Sequence, residues 1–143
     1  MLVKHILGEK GRDIIAISSD ATLSEAARLL ARKRIGAVVV RDEAGNLAGI
    51  LSERDVVRAV ADESVAALVR PVSAYMTRAV ATCTESDSIE DLMEMMTMGR
   101  FRHVPVVEDD RLTGIVSIGD VVKTRIAETV QEAESLREYI SAA

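Results

Sequence analysis

The sequence has very few aromatic residues and no excess of positive charge. Aromatic side chains make up 2% of the 143 residues, with one Phe, two Tyr and no Trp, and the net charge is −5. Proteins that bind nucleic acids rely on a basic surface, and those that bind single strands also stack the bases on aromatic rings. Because both features are missing, we expect no nucleic-acid partner.

Cysteine is also scarce. The single cysteine, Cys83, excludes an internal disulfide bond and favours a reducing compartment, so we expect a cytoplasmic location. No apolar run approaches the roughly 18 residues that a membrane-spanning helix needs, and the charged first residues lack the pattern of a secretory signal. We therefore expect no membrane partner.

The residue types that support catalysis or metal binding are equally rare. Besides Cys83 there are two histidines, His5 and His103, and they form no cluster in the sequence. A nucleophile with its base, or a metal with its ligands, needs such a cluster, and the chain has no phosphate-binding P-loop. We therefore predict no catalytic residue, no metal site and no required cofactor, and we keep a nucleotide-processing enzyme as the least favoured alternative.

The chain instead contains one segment twice. When Leu47–Arg58 is aligned without gaps to Leu112–Lys123, seven of the twelve pairs are identical. The spacing of 65 residues is longer than that of most solenoid repeats, so it indicates two copies of a small domain.

Hydrophobic patterns predict the same order of elements in each copy: strand, helix, strand, strand, helix. A copy of about 60 residues buries little surface by itself, so we expect the two copies to pack sheet to sheet about a pseudo-twofold axis, in an α/β (α+β) fold. The predicted strands are 14–17, 37–40, 47–51, 80–83, 103–107 and 112–116. The predicted helices include 53–61, 118–124 and 129–140.

Each copy places a serine where a strand meets a helix and an aspartate three residues later. These pairs are Ser52 with Asp55 and Ser117 with Asp120. The start of a helix attracts phosphate, and a carboxylate can accept hydrogen bonds from both hydroxyls of a ribose. The same spacing is also that of a capping box, in which the two side chains bond only to the helix terminus. Both interpretations stay open at this point.

Four segments of the sequence are typical of one family in their composition and order, namely 35–40, 49–55, 100–107 and 114–120. They resemble a tandem pair of CBS domains, also called a Bateman module. The resemblance extends over nearly the whole chain. It implies two β-α-β-β-α repeats related by a pseudo-twofold axis and assembled into a homodimeric disc. The first domain, with the N-terminal segment, would be 1–70, and the second, with the C-terminal helix, 71–143.

The resemblance also implies a function. Such pairs are non-catalytic sensors that bind an adenosine-containing molecule in the clefts between the repeats and regulate a partner protein. The ligand would be AMP, ATP, NAD(H) or S-adenosylmethionine, and the regulated protein is not identified by the sequence. An interaction module without a ligand, which keeps the serines and aspartates only as helix caps, is the main alternative.

Eleven residues receive a nucleotide-binding role from the resemblance. The two aspartates would bind ribose and the two serines phosphate. The adenine would lie in a slot near Ile17 and Ile35, or near Val80 and Phe101. Phosphate would be bound by Arg102 and His103, with Arg54 as a further donor. Gly36 and Ala37 stand in the first copy where the second has Arg102 and His103, so we expect the two clefts to differ.

Overall fold

Two small β-sheets and five α-helices build the fold of the computed structural model, which describes residues 1–142. This agrees with the predicted α+β class. The helices are α1 (Val3–Lys10), α2 (Leu23–Lys33), α3 (Glu53–Glu63), α4 (Ile89–Gly99) and α5 (Ile118–Ala142). The strands are β1 (Ala16–Ser18), β2 (Ala37–Arg41), β3 (Leu47–Ser52), β4 (His103–Glu108) and β5 (Arg111–Ser117). Two short 3₁₀ helices, Ser64–Val69 and Val72–Ala74, connect the copies.

The two sheets share one plan, but the second lacks a full third strand. In the first sheet β1 runs parallel to β2, which pairs antiparallel with β3. In the second sheet β4 pairs with β5, and the only further bridge to either of these two strands among the described residues is a parallel one from Cys83 to Val106. Of the predicted strand 80–83 only Cys83 pairs with the sheet, so the prediction is wrong for residues 80–82.

A proline explains why this strand is missing. In the first sheet the Val39 N–H donates to the Ile15 carbonyl at 3.3 Å, which continues the ladder upstream of Ile17. Pro105 occupies the position that matches Val39, and proline has no N–H to donate. The carbonyl two residues before Cys83 therefore loses its ladder donor, and the segment before Cys83 is free to leave the sheet.

The C-terminal region is one helix rather than the two predicted. We expected separate helices at 118–124 and 129–140, but α5 runs without interruption from Ile118 to Ala142. Neither glycine nor proline occurs between 125 and 128, so nothing there breaks the backbone hydrogen bonds. The Thr129 hydroxyl donates back to the Arg125 carbonyl at 3.0 Å, as threonines do inside helices.

Each copy has its own aliphatic core, and each core includes a segment from elsewhere in the chain. The first core, around Leu23, Val38 and Leu51, takes in Val72 and Met76 from the connection. The second core consists largely of residues from the second copy and takes in Val3, Ile6 and Leu7 from α1. The division at residue 70 stays a prediction, while the packing crosses it in both directions and ties the two copies together.

Candidate functional site

A cleft lies between the two copies. One side is the end of β3 with the first turns of α3, and the other side is formed by 77–81 and by 100–103, which leads into β4. Its volume is about 260 Å³, close to the lower end of the roughly 300–1,000 Å³ typical of small-molecule sites. Because the ladder stops at Cys83, the residues before it are available to form a wall of this cleft.

Seven of the eleven residues named from the sequence line this cleft. They are Ser52, Arg54, Asp55, Val80, Phe101, Arg102 and His103. Four others lie elsewhere: Ile17 and Ile35 pack against the first core, and Ser117 and Asp120 stand at the junction of β5 and α5. The cleft therefore combines the serine and aspartate of the first copy with the aromatic and basic residues of the second.

The pair of Ser52 and Asp55 forms a complete capping box. The Asp55 N–H donates to Ser52 Oγ at 3.2 Å, and the Ser52 N–H donates to Asp55 Oδ2 at 2.8 Å. The Ser52 hydroxyl also lies 3.0 Å from Asp55 Oδ2 as a donor. All the hydrogen bonds that the Asp55 carboxylate accepts from residues 1–142 go to Oδ2, and Oδ1 accepts none. One carboxylate oxygen caps α3, while the other can accept a hydrogen bond from a ligand.

Four arginines line the same cleft as this carboxylate. Arg54, Arg58, Arg100 and Arg102 all line the cleft, and all four are exposed. Within the part of the chain that the structure describes, none of them lies within 4.0 Å of a carboxylate. Glu53 and Asp55 are the acidic residues of the lining. The cleft is thus locally positive in an acidic protein, which attracts anionic ligands.

Sequence reasoning missed Arg100. This residue ends α4 in the left-handed conformation with φ 56°, and Arg34 ends α2 in the same way with φ 55°. Glycine or asparagine is usual at such a position. When Gly36 is aligned with Arg102, Arg34 falls on Arg100. This repeated arginine is a sequence signal that could have identified Arg100.

Phe101 supplies the aromatic wall, and the neighbouring glycine makes its position possible. A Cβ atom on Gly99 would lie 1.9 Å from Phe101 Cε1, so no other residue fits there without moving the ring. The ring packs partly against the second core and partly lines the cleft. Together with Val80 and Ile50 it gives the cleft an apolar part that suits a planar base.

His103 stands between the two copies. A Cβ atom on Gly36 would lie 3.5 Å from His103 Cε1 and 3.6 Å from Glu53 Oε1. Burial lowers the pKa of His103, and the nearby Lys10 ammonium lowers it further. The imidazole is therefore neutral at pH 7, when its nitrogens provide one donor and one acceptor.

The second serine and aspartate have the same cap but a different environment. The Ser117 N–H donates to Asp120 Oδ2 at 2.9 Å, and the Asp120 N–H donates to Ser117 Oγ at 3.1 Å. The Lys10 ammonium also donates to Asp120 Oδ2, at 2.7 Å. Burial alone would raise the pKa of Asp120, but the Lys10 ammonium and the Ser117 N–H outweigh it, so the pKa lies below its ordinary value.

Two further properties concern the described residues as a whole. None of their helices is long and apolar enough to span a bilayer. No group of three or more His, Cys, Asp or Glu side chains among them is arranged to bind a metal ion.

Comparisons with known proteins match this chain to one family. The sequence model of the CBS domain matches residues 3–62 and 72–127. A CBS-domain-containing protein from Agrobacterium tumefaciens has a solved structure with 51% sequence identity and a TM-score of 0.85, over 87% of this chain and 92% of that chain. Among curated proteins, a 17.7 kDa protein of Acidianus ambivalens is 32% identical over 77% of this chain, which spans 66% of its length.

Two other solved relatives carry ligands. The CBS domain pair of protein MJ0100, 29% identical with a TM-score of 0.79 over 90% of this chain and 98% of that chain, is in complex with 5-methylthioadenosine and S-adenosyl-L-methionine. A CBS domain protein from Pyrobaculum aerophilum, 28% identical with a TM-score of 0.76 over 84% and 89%, is complexed with AMP. Since the two matched stretches follow the two repeats and cover most of the sequence, the protein belongs to the CBS domain family and carries two CBS domains.

Proposed function

We propose that this protein is a non-catalytic regulatory module that binds an adenosine nucleotide in the cleft beside Asp55. The observation that carries the proposal is the composition of the cleft, where the Asp55 carboxylate, an aromatic and aliphatic wall and four arginines meet. Each part suits one part of a nucleotide. The relatives with bound AMP, S-adenosyl-L-methionine and 5-methylthioadenosine support the choice of adenosine compounds.

The bound nucleotide would lie with its parts in a fixed order. The base packs between Phe101 and Val80, and the ribose hydroxyls donate to Asp55 Oδ1. The phosphates face the arginines and the start of α3, where the positive end of the helix dipole favours an anion. Ser52 contributes less than the sequence suggested, because its hydroxyl already donates to Asp55. It can donate to phosphate only after that bond is broken.

The charge of the cleft selects among adenosine compounds. Guanidinium groups bind phosphate through paired, charge-assisted hydrogen bonds. AMP, ATP and NAD(H) carry phosphate, whereas S-adenosylmethionine carries a positive sulfonium and no phosphate. Four arginines against Glu53 and Asp55 therefore favour the phosphorylated ligands, and we rank S-adenosylmethionine last.

Thermal unfolding with a ligand panel tests this proposal. A ligand at 100 times its dissociation constant adds about 2.7 kcal/mol to the free energy of unfolding, which for a protein of this size raises the melting temperature on the order of ten degrees. We expect AMP, ATP or NAD(H) to give such a shift and S-adenosylmethionine to give less. GTP is the control for recognition of the adenine base, and inorganic phosphate is the control for binding through negative charge alone.

A second candidate is an interaction module without a ligand. It is favoured by the geometry of the two strand-to-helix junctions, which we call the first elbow (Ser52 to Asp55) and the second elbow (Ser117 to Asp120). Helix capping alone accounts for the serine and the aspartate of each elbow. It does not account for four arginines on one cleft. A panel without any thermal shift, together with loss of stability when Asp55 is replaced, would support this candidate instead.

The proposed partners are a second copy of this chain and a regulated protein. Several apolar side chains on α3, α4 and α5 are exposed in the single chain, and a homodimeric disc would cover those near the N-terminal part of α5. They are Val57, Val60, Met93, Ile118, Val122 and Ile126. Light scattering coupled to size exclusion measures this, with twice the 15.5 kDa chain mass expected. A cytoplasmic location and the identity of the regulated protein stay predictions.

A further inference from the structure

The N-terminal helix α1 lies directly on the second elbow. Val3 and Leu7 are buried in the second core, and a Cβ atom on Gly114 of β5 would lie 2.7 Å from Leu7 Cδ2. Leu2 forms an antiparallel bridge to Ser88 at the start of α4. The helix therefore packs into the second core, and this packing fixes its position relative to β5.

In the first domain the corresponding glycine, Gly49, is covered by Met76 and by the backbone of Thr77. Thr77 then pairs with Ile50 through two backbone hydrogen bonds of 3.0 and 2.9 Å, and the chain continues as a wall of the first cleft. Among the residues that the structure describes, the Asp55 carboxylate hydrogen-bonds only within its own elbow. It stays accessible to a ligand.

In the second domain a lysine side chain pairs with the aspartate that corresponds to Asp55. Helix α1 continues to Lys10, whose ammonium donates to Asp120 Oδ2 at 2.7 Å and to the Ile115 carbonyl at 3.0 Å. Ile115 is the counterpart of Ile50 in the aligned repeats. One cation thus bridges the capping oxygen Oδ2 of Asp120 and the carbonyl of β5, and it neutralises the charge of the carboxylate whose counterpart, Asp55, we assign to the ribose.

The second copy also supplies fewer groups for phosphate. In the aligned repeats, two of the four arginines of the first cleft keep a cationic counterpart, Lys123 for Arg58 and Arg34 for Arg100. The other two arginines and the histidine do not: Gly119, Gly36 and Ala37 stand where the first cleft has Arg54, Arg102 and His103. A nucleotide that displaced Lys10 would therefore find fewer groups to pair with its phosphates.

We infer that the second cleft is closed by the chain's own Lys10, so that each chain binds a single nucleotide, in the first cleft. Lys10 is then a specificity-determining residue: it decides which of two related elbows accepts a ligand. The number of ligands rests on the proposed function, whereas the closure of the second cleft by Lys10 does not. The two parts need separate measurements.

Titration calorimetry of the full chain with ATP tests how many nucleotides each chain binds and which cleft binds them. We expect one ATP per chain, and we expect Asp55→Asn to raise the dissociation constant at least tenfold. Two ATP per chain, or one ATP that still binds with unchanged affinity to the Asp55→Asn variant, would overturn the inference. If no nucleotide in the panel binds, the proposed function has failed, and the closure is judged by the second measurement alone.

The second measurement follows the Asp120 carboxyl by NMR during an acid titration without nucleotide. Lys10→Gln should raise the pKa of Asp120 towards its ordinary value, because the ammonium that stabilises the carboxylate is gone. Lys4→Gln removes the same charge from an exposed position of α1 and should leave that pKa in place. An unchanged Asp120 pKa in Lys10→Gln would show that the lysine does not hold the cleft closed.

Discussion

At the scale of single residues, the same side chain can be a helix cap and a ligand-binding group. Asp55 uses Oδ2 for the cap and keeps Oδ1 free among the described residues, so the two interpretations of the sequence are compatible. Asp120 has the same cap, but a lysine that is distant in sequence also donates to its capping oxygen Oδ2 and neutralises the carboxylate. Local spacing predicted both caps, whereas it could not distinguish a free carboxylate from a paired one.

Replacing Asp55 by asparagine should separate binding from capping. The amide oxygen still accepts from the Ser52 N–H, so the free energy of unfolding should fall by less than about 1 kcal/mol. The nucleotide loses a charge-assisted hydrogen bond, which is worth about 1.5–3 kcal/mol or roughly one to two orders of magnitude in affinity. Calorimetry and thermal unfolding measure the two effects.

Asp62→Asn is the matched control for this variant, because it removes the same charge from an exposed position of α3 outside the lining of the cleft. Its affinity should stay within twofold of the wild type. If Asp55→Asn destabilises the protein and leaves the affinity unchanged, the carboxylate is only a cap.

His103 should take up a proton when a nucleotide binds. Its pKa lies below the ordinary 6.5 in the free protein, because of burial and of Lys10. A phosphate nearby favours the imidazolium and raises that pKa. Affinity should then increase as the pH falls between the pKa of the complex and that of the free protein, and should be flat above both.

Calorimetry in buffers with different ionisation heats measures this uptake directly. His103→Gln should abolish the pH dependence while it keeps a hydrogen-bonding side chain in the cleft. Proton release on binding, or an uptake that persists in His103→Gln, would contradict the role assigned to this histidine.

At the scale of elements, a glycine that is packed against backbone tolerates a larger residue less well than one that is packed against the end of a side chain. A Cβ atom on Gly49 would lie 2.6 Å from the Thr77 carbonyl oxygen, while one on Gly114 would lie 2.7 Å from the end of the Leu7 side chain. Leu7 can rotate, but Thr77 is held by its pairing with Ile50. The two equivalent strands therefore differ in how tightly their neighbours are fixed.

Alanine at these two glycines should accordingly have unequal effects. Gly49→Ala forces the connection away from β3 and should cost about 1–3 kcal/mol of the free energy of unfolding, as overpacking does. Gly114→Ala should cost less, because only the tip of Leu7 has to move. Chemical denaturation of both variants provides the comparison, and equal losses would argue against the two described contacts.

The elements also show which parts of the fold are local and which depend on long-range contacts. Turn residues and β-branched runs predicted the hairpins, and the serines predicted the starts of α3 and α5. The loss of a third strand in the second sheet depends on Pro105, which lies on a partner strand rather than in the segment it affects. The packing of α1 against the second core could not be predicted either, because α1 and β5 are about a hundred residues apart in the sequence. Hydrophobic periodicity shows that a helix has an apolar face, but not which core that face covers.

At the scale of the whole molecule, the buried thiol of Cys83 reports on opening. Its side chain is 3% exposed, and burial, with Asp87 and Glu108 nearby, raises its pKa to about 12. The thiolate is the reactive form, so the folded protein should not react with thiol reagents at neutral pH. Labelling should occur only through unfolding of the second core.

Nucleotide should slow that labelling. A ligand that binds only the folded protein lowers the unfolded fraction, by about 100-fold at 100 times its dissociation constant. Thiol labelling with and without ATP measures the ratio, and at the same ATP concentration Asp55→Asn should lose most of the protection. Protection that is equal in the wild type and in Asp55→Asn would place the ligand somewhere else.

The most direct measurement is a crystal structure of the protein grown with ATP. We expect one nucleotide per chain in the first cleft, with a ribose hydroxyl within hydrogen-bonding distance of Asp55 Oδ1 and the phosphates among Arg54, Arg58, Arg100 and Arg102. We also expect Lys10 to stay on Asp120. An empty first cleft at saturating ATP would overturn the proposed binding site, and a nucleotide that has displaced Lys10 from Asp120 would overturn the role inferred for this lysine.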